Sequence, residues 1–205
     1  MDLKIVLEKL EPERQYAHKN YVPIIRDRSA EYLYNFVKSG QYKNILEIGT
    51  AIGFSGSIIL SAGAEHLTTI DINEDYLKIA QKTFEKFGYS NKVNILHGDA
   101  WEHLKELAKY NQKFDMIFLD GAKGQYIKYL PLLVGVLQKD GVIFADNVLL
   151  HGMVESTEII PHKKRTMVVN LRKYLDLVTK DPYETDLIRL EDGIAITKLK
   201  GEWLC

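Results

Sequence analysis

Residues 45–56 read Ile-Leu-Glu-Ile-Gly-Thr-Ala-Ile-Gly-Phe-Ser-Gly, an apolar strand that enters a glycine-bearing turn and continues as a helix. An open α/β sheet binds a nucleotide-like ligand at such a turn, because small residues let backbone amides approach the ligand at the carboxyl end of the strand. Ala51 stands where the dinucleotide motif G-x-G-x-x-G has its middle glycine. We therefore expect a nucleotide-like cofactor. The alanine at this position argues against a dinucleotide.

Apolar runs of strand length recur along the chain, with helical stretches between them. We predict strands over residues 44–48, 67–72, 93–97, 114–119, 142–145, 185–190 and 194–199. We predict helices over residues 54–61, 74–87, 100–110, 125–137 and 165–179. The alternation is typical of an α/β fold with a mostly parallel, seven-stranded sheet and helices on both faces. The Asp192-Gly193 step favours a tight turn, so we expect the sheet to close with an antiparallel hairpin.

The 205 residues fit a single domain. Residues 1–42 are predicted to be an N-terminal helical segment, with helices over residues 3–16 and 27–38, and residues 43–205 to be the α/β core. The apolar positions of the N-terminal helices suit an interface between two copies of the chain. We therefore expect a homodimer.

The composition, with 46% hydrophobic and 27% charged residues, is that of a globular protein. No apolar run approaches the roughly 20 residues that span a bilayer, and the first residues are charged, so we expect a cytoplasmic protein without a membrane segment. Cys205 is the only cysteine, which excludes an internal disulfide and a Cys-x-x-Cys metal site. The net charge of −1 argues against diffuse binding to nucleic acid, but residues 162–173 contain five Lys or Arg and no acid. A local basic surface is therefore expected.

Two more predicted strands carry a carboxylate near their ends. Asp71 follows the glycine turn by about 20 residues, where a carboxylate accepts hydrogen bonds from both ribose hydroxyls of a nucleotide-like ligand. The next strand closes with Gly98-Asp99-Ala100. With the glycine turn, three consecutive strand ends then line one pocket, which strengthens the prediction of a cofactor site.

Oxygen-bearing side chains also follow the fourth and fifth predicted strands. The fourth is followed by Asp120, and the fifth by Asp146 and Asn147. If these strands are neighbours, they lie about 5 Å apart, so the three side chains converge at one edge of the sheet. Two carboxylates and an amide oxygen suit Mg²⁺ or another divalent cation, and leave positions for a bidentate substrate.

Several of these motifs resemble those of known methyltransferases. Glu47, Gly49 and Gly53 match the motif E-x-G-x-x-x-G of the Rossmann-like class I methyltransferases, which bind S-adenosylmethionine. The motif L-D-x-x-K at residues 119–123, followed by A-D-N-V at 145–148, resembles the cation-dependent O-methyltransferases of the catechol and caffeoyl-CoA group.

The resemblance implies a role for each matching residue. Glu47 serves the methionine amino group, and Asp99 and the Ala100 backbone meet the adenine. Asp120, Asp146 and Asn147 hold the cation, and Lys123 lies beside the reacting oxygen, where it can accept the proton of the acceptor hydroxyl. The complete set of expected cofactor-binding residues is Glu47, Gly49, Thr50, Ser55, Asp71, Asp99, Ala100 and Asp120.

The acceptor is predicted from the end of the chain and from the basic stretch. Catechol enzymes of this group carry an acidic residue just after the final Asp-Gly turn, whereas this chain continues Ile194-Ala195-Ile196. Val22-Pro23-Ile24 and the stretch H-K-x-x-T-M-V at residues 162–168 resemble bacterial tRNA 5-hydroxyuridine methyltransferases, which act on the wobble base. The resemblance implies an unpaired base of the anticodon loop as acceptor. Side chains that we expect to guide this RNA are Arg26, Tyr126, Lys163, Lys164 and Arg165, and Arg172 is a further phosphate-pairing candidate.

Three other functions remain open from the sequence. A phenolic small molecule or a coenzyme A thioester would keep the same chemistry, since coenzyme A phosphates also suit the basic stretch. A nicotinamide-dependent oxidoreductase is favoured by the α/β pattern and Asp71, but the glycine pattern argues against it. A non-catalytic partner protein that kept the fold is the third.

Overall fold

The computed structural model describes residues 1–200, and Cys205 lies outside them. Seven strands form a mostly parallel sheet that ends in an antiparallel hairpin, with helices around it, which confirms the predicted fold class. The chain contains two compact units, residues 1–103 and the residues from 104 onward. Within residues 1–200, no helix is both long enough and apolar enough to cross a membrane.

The first unit contains the N-terminal helices and three strands. Its elements are α1 (Leu3–Lys9), α2 (Glu11–Asn20), α3 (Asp27–Gly40), β1 (Asn44–Ile48), α4 (Phe54–Ala62), β2 (His66–Asp71), α5 (Glu74–Lys86), β3 (Val93–His97) and the start of α6 (Ala100–Lys109). The strands are parallel, in the order β3-β2-β1. Because α4 is buried along its whole length, the turn between β1 and α4 is held against the core.

The N-terminal segment differs from the prediction. The single helix expected over residues 3–16 is two helices, which meet at Leu10. Pro12 lies in the first turn of α2, where its missing N–H breaks no helical hydrogen bond. Asp2 starts α1 by accepting a hydrogen bond from the backbone of Lys4 at 3.0 Å. Pro12 is therefore the sequence signal that a new helix, α2, begins after α1.

The second unit contains the remaining strands. Its elements are β4 (Phe114–Leu119), α7 (Tyr126–Val136), β5 (Leu137–Asp146), α8 (Arg165–Val178), β6 (Tyr183–Ile188) and β7 (Ile194–Leu199), with 3₁₀ turns at Lys123–Gln125 and His162–Lys164. Their order is β4-β5-β7-β6, with β4 and β5 parallel and β7 antiparallel to both of its neighbours. Strand β5 begins at Leu137, whereas the prediction began it at residue 142. The prediction missed the first part of the strand because exposed polar residues at 138–140 interrupt the apolar pattern.

Candidate active site

The turn between β1 and α4 has the backbone that its glycines predict. Gly49, Ala51 and Gly53 have φ angles of 106°, 43° and 78°. The amides of Gly49 and Thr50 donate to the Ile70 carbonyl at 2.9 and 3.3 Å, which fixes the turn to β2. A Cβ atom on Gly53 would lie 3.2 Å from the backbone of α5. Glycine at position 53 is therefore required both by φ and by this close approach.

Glu47, at the end of β1, is fully buried among hydroxyl groups. Ser55 Oγ donates to its Oε1 at 2.5 Å, and Thr69 Oγ1 donates to its Oε2 at 2.6 Å. Thr50 Oγ1 lies 2.6 Å from Thr69 Oγ1. The structure thus brings together the predicted residues Glu47, Thr50 and Ser55. Sequence reasoning missed Thr69, because a threonine within a strand is also an ordinary β-former.

Asp71, the last residue of β2, is held by two backbone amides. Ala51 donates to its Oδ2 at 2.8 Å, and Asn73 donates to its Oδ1 at 2.9 Å. The carboxylate is half-buried. It therefore links the glycine turn to the start of α5, in the position from which a strand-end acid reaches a ribose.

Asp99 and Ala100 lie between β3 and α6. Asp99 is exposed, and its Oδ1 accepts a hydrogen bond from the Trp101 amide at 2.7 Å, as a helix cap does. His103 Nε2 lies 3.0 Å from the His97 carbonyl and fixes the same turn. Contact of Asp99 and Ala100 with adenine stays a prediction.

In the second unit, Asp120 follows β4 and Asp146 ends β5. Leu119 and Ala145 are register partners in this parallel pair, so the two aspartates that follow them lie side by side. Burial raises the pKa of Asp146 to about 7, and the negative charge of Asp120 adds to the effect. Burial also raises the pKa of Asp120, against the opposing charge of Lys123. The two carboxylates form a buried acidic pair.

Lys123, in the 3₁₀ turn after β4, is paired with one of these acids. Its Nζ lies 2.7 Å from Asp120 Oδ1, and the two side chains are 21% and 15% exposed. The pair is thus mostly shielded from water but accessible from one side. The predicted catalytic residues Lys123 and Asp120 are in direct contact.

Tyr126 has a different position from the one predicted for it. Its side chain is fully buried, and its hydroxyl donates to the Leu119 carbonyl at 2.9 Å and to the Asp146 carbonyl at 3.2 Å. It therefore joins the ends of β4 and β5, where both carboxylates are attached. The expectation that Tyr126 contacts RNA is corrected, because a buried and bonded ring offers no surface to a ligand.

Asn147 starts the loop after β5 with a φ of 57°, and its backbone N–H donates to Asp146 Oδ1 at 2.8 Å. This loop is fastened to the turn between β6 and β7: the Leu149 amide donates to the Asp192 carbonyl at 2.8 Å. His151 Nδ1 also lies 3.1 Å from Asp192 Oδ1. The final hairpin therefore supports the loop that carries Asn147.

The chemistry of these side chains fits a divalent cation. Asp120, Asp146 and Asn147 offer hard oxygen ligands, and a cation would compensate the charge of the buried acidic pair. Among residues 1–200, no three His, Cys, Asp or Glu side chains are grouped to hold a metal ion. The predicted set has only two such carboxylates, with an amide as the third ligand, so this finding does not test it.

The predicted RNA-binding residues are mostly on the surface. Lys163 and Arg165 are exposed and Lys164 is half-buried, in the 3₁₀ turn and at the start of α8, and Arg26 is exposed at the start of α3. Arg172 is exposed, but its Nε and Nη2 donate to the backbone carbonyls of three residues, Met153, Val154 and Ser156. These bonds leave only Nη1 for a phosphate, and the pairing of Arg172 with phosphate stays a prediction.

Comparison with known proteins gives consistent matches. A family model described as O-methyltransferase matches residues 2–200. Caffeoyl-CoA O-methyltransferase 1 of Arabidopsis thaliana is 30% identical, and the match covers 82% of this chain and 68% of that one. A Staphylococcus aureus structure assigned to the caffeoyl-CoA O-methyltransferases is 31% identical with a TM-score of 0.82, covering 98% and 100% of the two chains. An O-methyltransferase from Bacillus cereus in complex with SAH has a TM-score of 0.83 at 22% identity, covering 94% and 91%, and shows the shared fold.

Proposed function

Because this chain belongs to the S-adenosylmethionine-dependent O-methyltransferases of the caffeoyl-CoA type, we propose that Asp120, Asp146 and Asn147 bind a divalent cation, Mg²⁺ in the first instance, beside the hydroxyl that is methylated. The observation that supports this site most directly is the buried pair of carboxylates at adjacent strand ends, with Lys123 Nζ 2.7 Å from one of them. Glu47 and Asp71 are the proposed anchors of the methyl donor.

The chain's own residues supply positioning and proton transfer. A bound divalent cation would supply Lewis acidity, which favours the anionic form of the acceptor oxygen. Once Lys123 has released a proton to solvent, its Nζ accepts the proton of the acceptor hydroxyl. The acceptor oxygen then forms a bond to the methyl carbon as the sulfur–methyl bond breaks, and S-adenosylhomocysteine (SAH) leaves. The reaction needs no covalent intermediate on the protein.

For the acceptor, we propose 5-hydroxyuridine at the wobble position of tRNA, which would become 5-methoxyuridine. Its support is the basic group Lys163, Lys164 and Arg165, of which Lys163 and Arg165 are exposed, and the resemblance of residues 162–168 to tRNA-modifying enzymes. The segment after Gly193 also favours it over catechol, because Ile194 and Ala195 are fully buried and present no acid to a second hydroxyl.

A small phenolic or coenzyme A-linked acceptor is the second candidate. The relatives named caffeoyl-CoA O-methyltransferases favour it, and the basic group suits coenzyme A phosphates equally. The family match is to transferases and lends no support to the nicotinamide-dependent oxidoreductase.

An acceptor assay separates these candidates. The purified protein is incubated with labelled S-adenosylmethionine and Mg²⁺, and with tRNA from cells that lack this protein, caffeoyl-CoA or a catechol. Methylation of the tRNA, with mass spectrometry showing conversion of 5-hydroxyuridine to 5-methoxyuridine, is the expected result. Turnover on the small acceptors alone would exclude the tRNA proposal.

Two further expectations also remain proposals. We propose that the protein is a homodimer, supported by the N-terminal side chains Met1 and Ile5, which are about half exposed at 49% and 47%. Sedimentation analysis tests this, and a monomer at micromolar concentration would contradict it. A cytoplasmic location is proposed from the sequence alone and can be tested by cell fractionation.

A further inference from the structure

A chain of hydroxyl groups leads to the buried Glu47 carboxylate in the first unit. Glu47 and Thr69 are register partners in the parallel β1–β2 pair, which aligns the two side chains. Thr69 is fully buried, and its Oγ1 lies 2.6 Å from both Glu47 Oε2 and Thr50 Oγ1. The motif that identifies the cofactor loop does not include Thr69, so its contacts call for a separate explanation.

The number of hydroxyl protons fixes the direction of the hydrogen bonds that lead from Thr50 through Thr69 to Glu47. A threonine hydroxyl has one proton to donate and two lone pairs that accept. Since Thr69 donates its proton to Glu47, the short contact between the two threonines requires Thr50 to donate to Thr69. The Thr50 proton is then occupied, and Thr50 Oγ1 can only accept from a further partner.

The direction of these hydrogen bonds determines whether the glycine turn favours a positively or a negatively charged ligand group. Hydrogen bonds in a chain polarise one another, so the negative charge of Glu47 makes the Thr50 oxygen a better acceptor. Ser55, which donates to the other Glu47 oxygen, is polarised in the same sense. An ammonium group has three donors and no acceptor, so it is the chemical group that such oxygens favour.

We propose that Thr69 is a positioning residue for the methyl donor: its hydroxyl fixes Glu47 and orients Thr50 so that both accept from the amino group of the methionine part. The proposal rests on the proposed S-adenosylmethionine site. Without the Thr69 hydroxyl, Glu47 loses a donor, and the Thr50 proton is free to rotate toward the ligand, where it would oppose an ammonium group.

The test measures affinity for two ligands by calorimetry. One is SAH, and the other is the SAH analogue that lacks the α-amino group. The main variant is Thr69→Val, which keeps the shape of the side chain and removes the hydroxyl. Thr69→Ser restores the hydroxyl, and Thr68→Val, on the same strand and nearly buried at 8% exposure, is the matched control.

We expect Thr69→Val to weaken SAH binding by about tenfold, as the loss of a hydrogen bond to a charged group does. Its affinity for the deaminated analogue should change by less than about twofold, because that ligand has no ammonium group to detect the change. Thr69→Ser and Thr68→Val should bind both ligands as the unsubstituted protein does. A merely structural role of Thr69 would weaken both ligands together.

Three outcomes would overturn a claim. An equal loss for both ligands, or no loss for either, excludes the positioning role of Thr69. If Thr69→Val does not fold, Thr69→Cys, which replaces the hydroxyl by a weak donor, takes its place and must show the same selectivity. If the unsubstituted protein does not bind SAH, the cofactor assignment itself fails.

Discussion

At the scale of single residues, the Asp146 carboxyl lowers the stability of the cation-free protein at neutral pH. Its pKa is about 7 in the folded chain and about 3.9 in an unfolded one. Between these values the unfolded chain has released the proton while the folded chain keeps it, so stability falls as the pH rises through this window. Above a pH of about 7 the loss is complete.

We therefore predict that Asp146→Asn stabilises the cation-free protein while it abolishes methyl transfer. In excess chelator, the Tm should rise by about 2 °C or more at pH 8 and by much less at pH 4, because pH 4 lies at the lower edge of this window, where little of the stability has yet been lost. Thermal unfolding at both pH values measures this. Asp186→Asn, at an exposed position of edge strand β6, is the control, and an equal gain at both pH values would contradict the prediction.

Lys123 provides the second residue-scale prediction. Lys123→Met keeps the aliphatic stem but removes the proposed proton acceptor, so kcat should fall by at least about 100-fold. SAH affinity should stay within about twofold, since the proposed anchors of the methyl donor are Glu47 and Asp71. The control is Lys128→Met, in α7. Activity within tenfold of the unsubstituted enzyme would show that another group, or solvent, takes the proton.

At the residue scale, the sequence predicts the acidic side chains at strand ends better than the residues that form hydrogen bonds with them. Glu47, Asp71, Asp120 and Asp146 were predicted because each is an acid at or near the end of an apolar run, and their roles toward a ligand stay predictions. Thr69 was missed, because hydrogen bonds between neighbouring strands depend on register, which no local pattern reveals.

At the scale of elements, α7 joins the ends of β4 and β5 through Tyr126. Tyr126→Phe leaves two buried carbonyls without this donor, and we expect the free energy of unfolding to fall by about 1–3 kcal/mol. Mg²⁺ affinity, measured by calorimetry, should also fall, because the strand ends that carry Asp120 and Asp146 are no longer joined.

Tyr174 is the matched control for this prediction. Its ring packs edge-on against Tyr126 with centroids 5.7 Å apart, and within residues 1–200 its buried hydroxyl makes no hydrogen bond. Tyr174→Phe should therefore leave stability unchanged or raise it. If both variants lower the free energy of unfolding equally, ring packing and not the hydroxyl of Tyr126 holds the strand ends.

The elements themselves were largely predictable. Strands β1, β3, β4 and β7 have the predicted bounds, because each is a short apolar run with polar or glycine flanks. The role of Tyr126 was not predictable, since a tyrosine after the L-D-x-x-K motif is compatible with a surface aromatic or with a buried donor. Tertiary packing decides between the two, and it lies outside the local sequence.

At the scale of the whole molecule, we expect the basic group Lys163, Lys164 and Arg165 to distinguish a phosphate-bearing acceptor from an acceptor without phosphate, such as a catechol. The triple reversal of Lys163, Lys164 and Arg165 to Glu should raise the KM for tRNA by at least about tenfold and reduce its salt dependence, because fewer phosphates are neutralised. Methylation of a catechol, if detectable, should not change. Steady-state kinetics at two salt concentrations measures both effects.

The control for this prediction is the same triple reversal at exposed lysines elsewhere, Lys19, Lys82 and Lys105. If the control impairs tRNA methylation equally, net charge and not the basic group is responsible. At this scale the fold was predictable from the spacing of apolar runs, and the reaction class from the resemblance of the motifs to known methyltransferases. The acceptor was not, because a basic surface meets any phosphate-bearing ligand alike.

Asp192, in the turn between β6 and β7, holds the loop of Asn147 through both backbone and side chain. Because we propose that Asn147 binds the cation beside the acceptor hydroxyl, we expect a change in the length of that turn to alter which acceptors are methylated. The proposed anchors of the methyl donor, on β1 and β2, are not part of this hairpin, so protein engineering there would change the acceptor without changing the residues proposed to bind the donor.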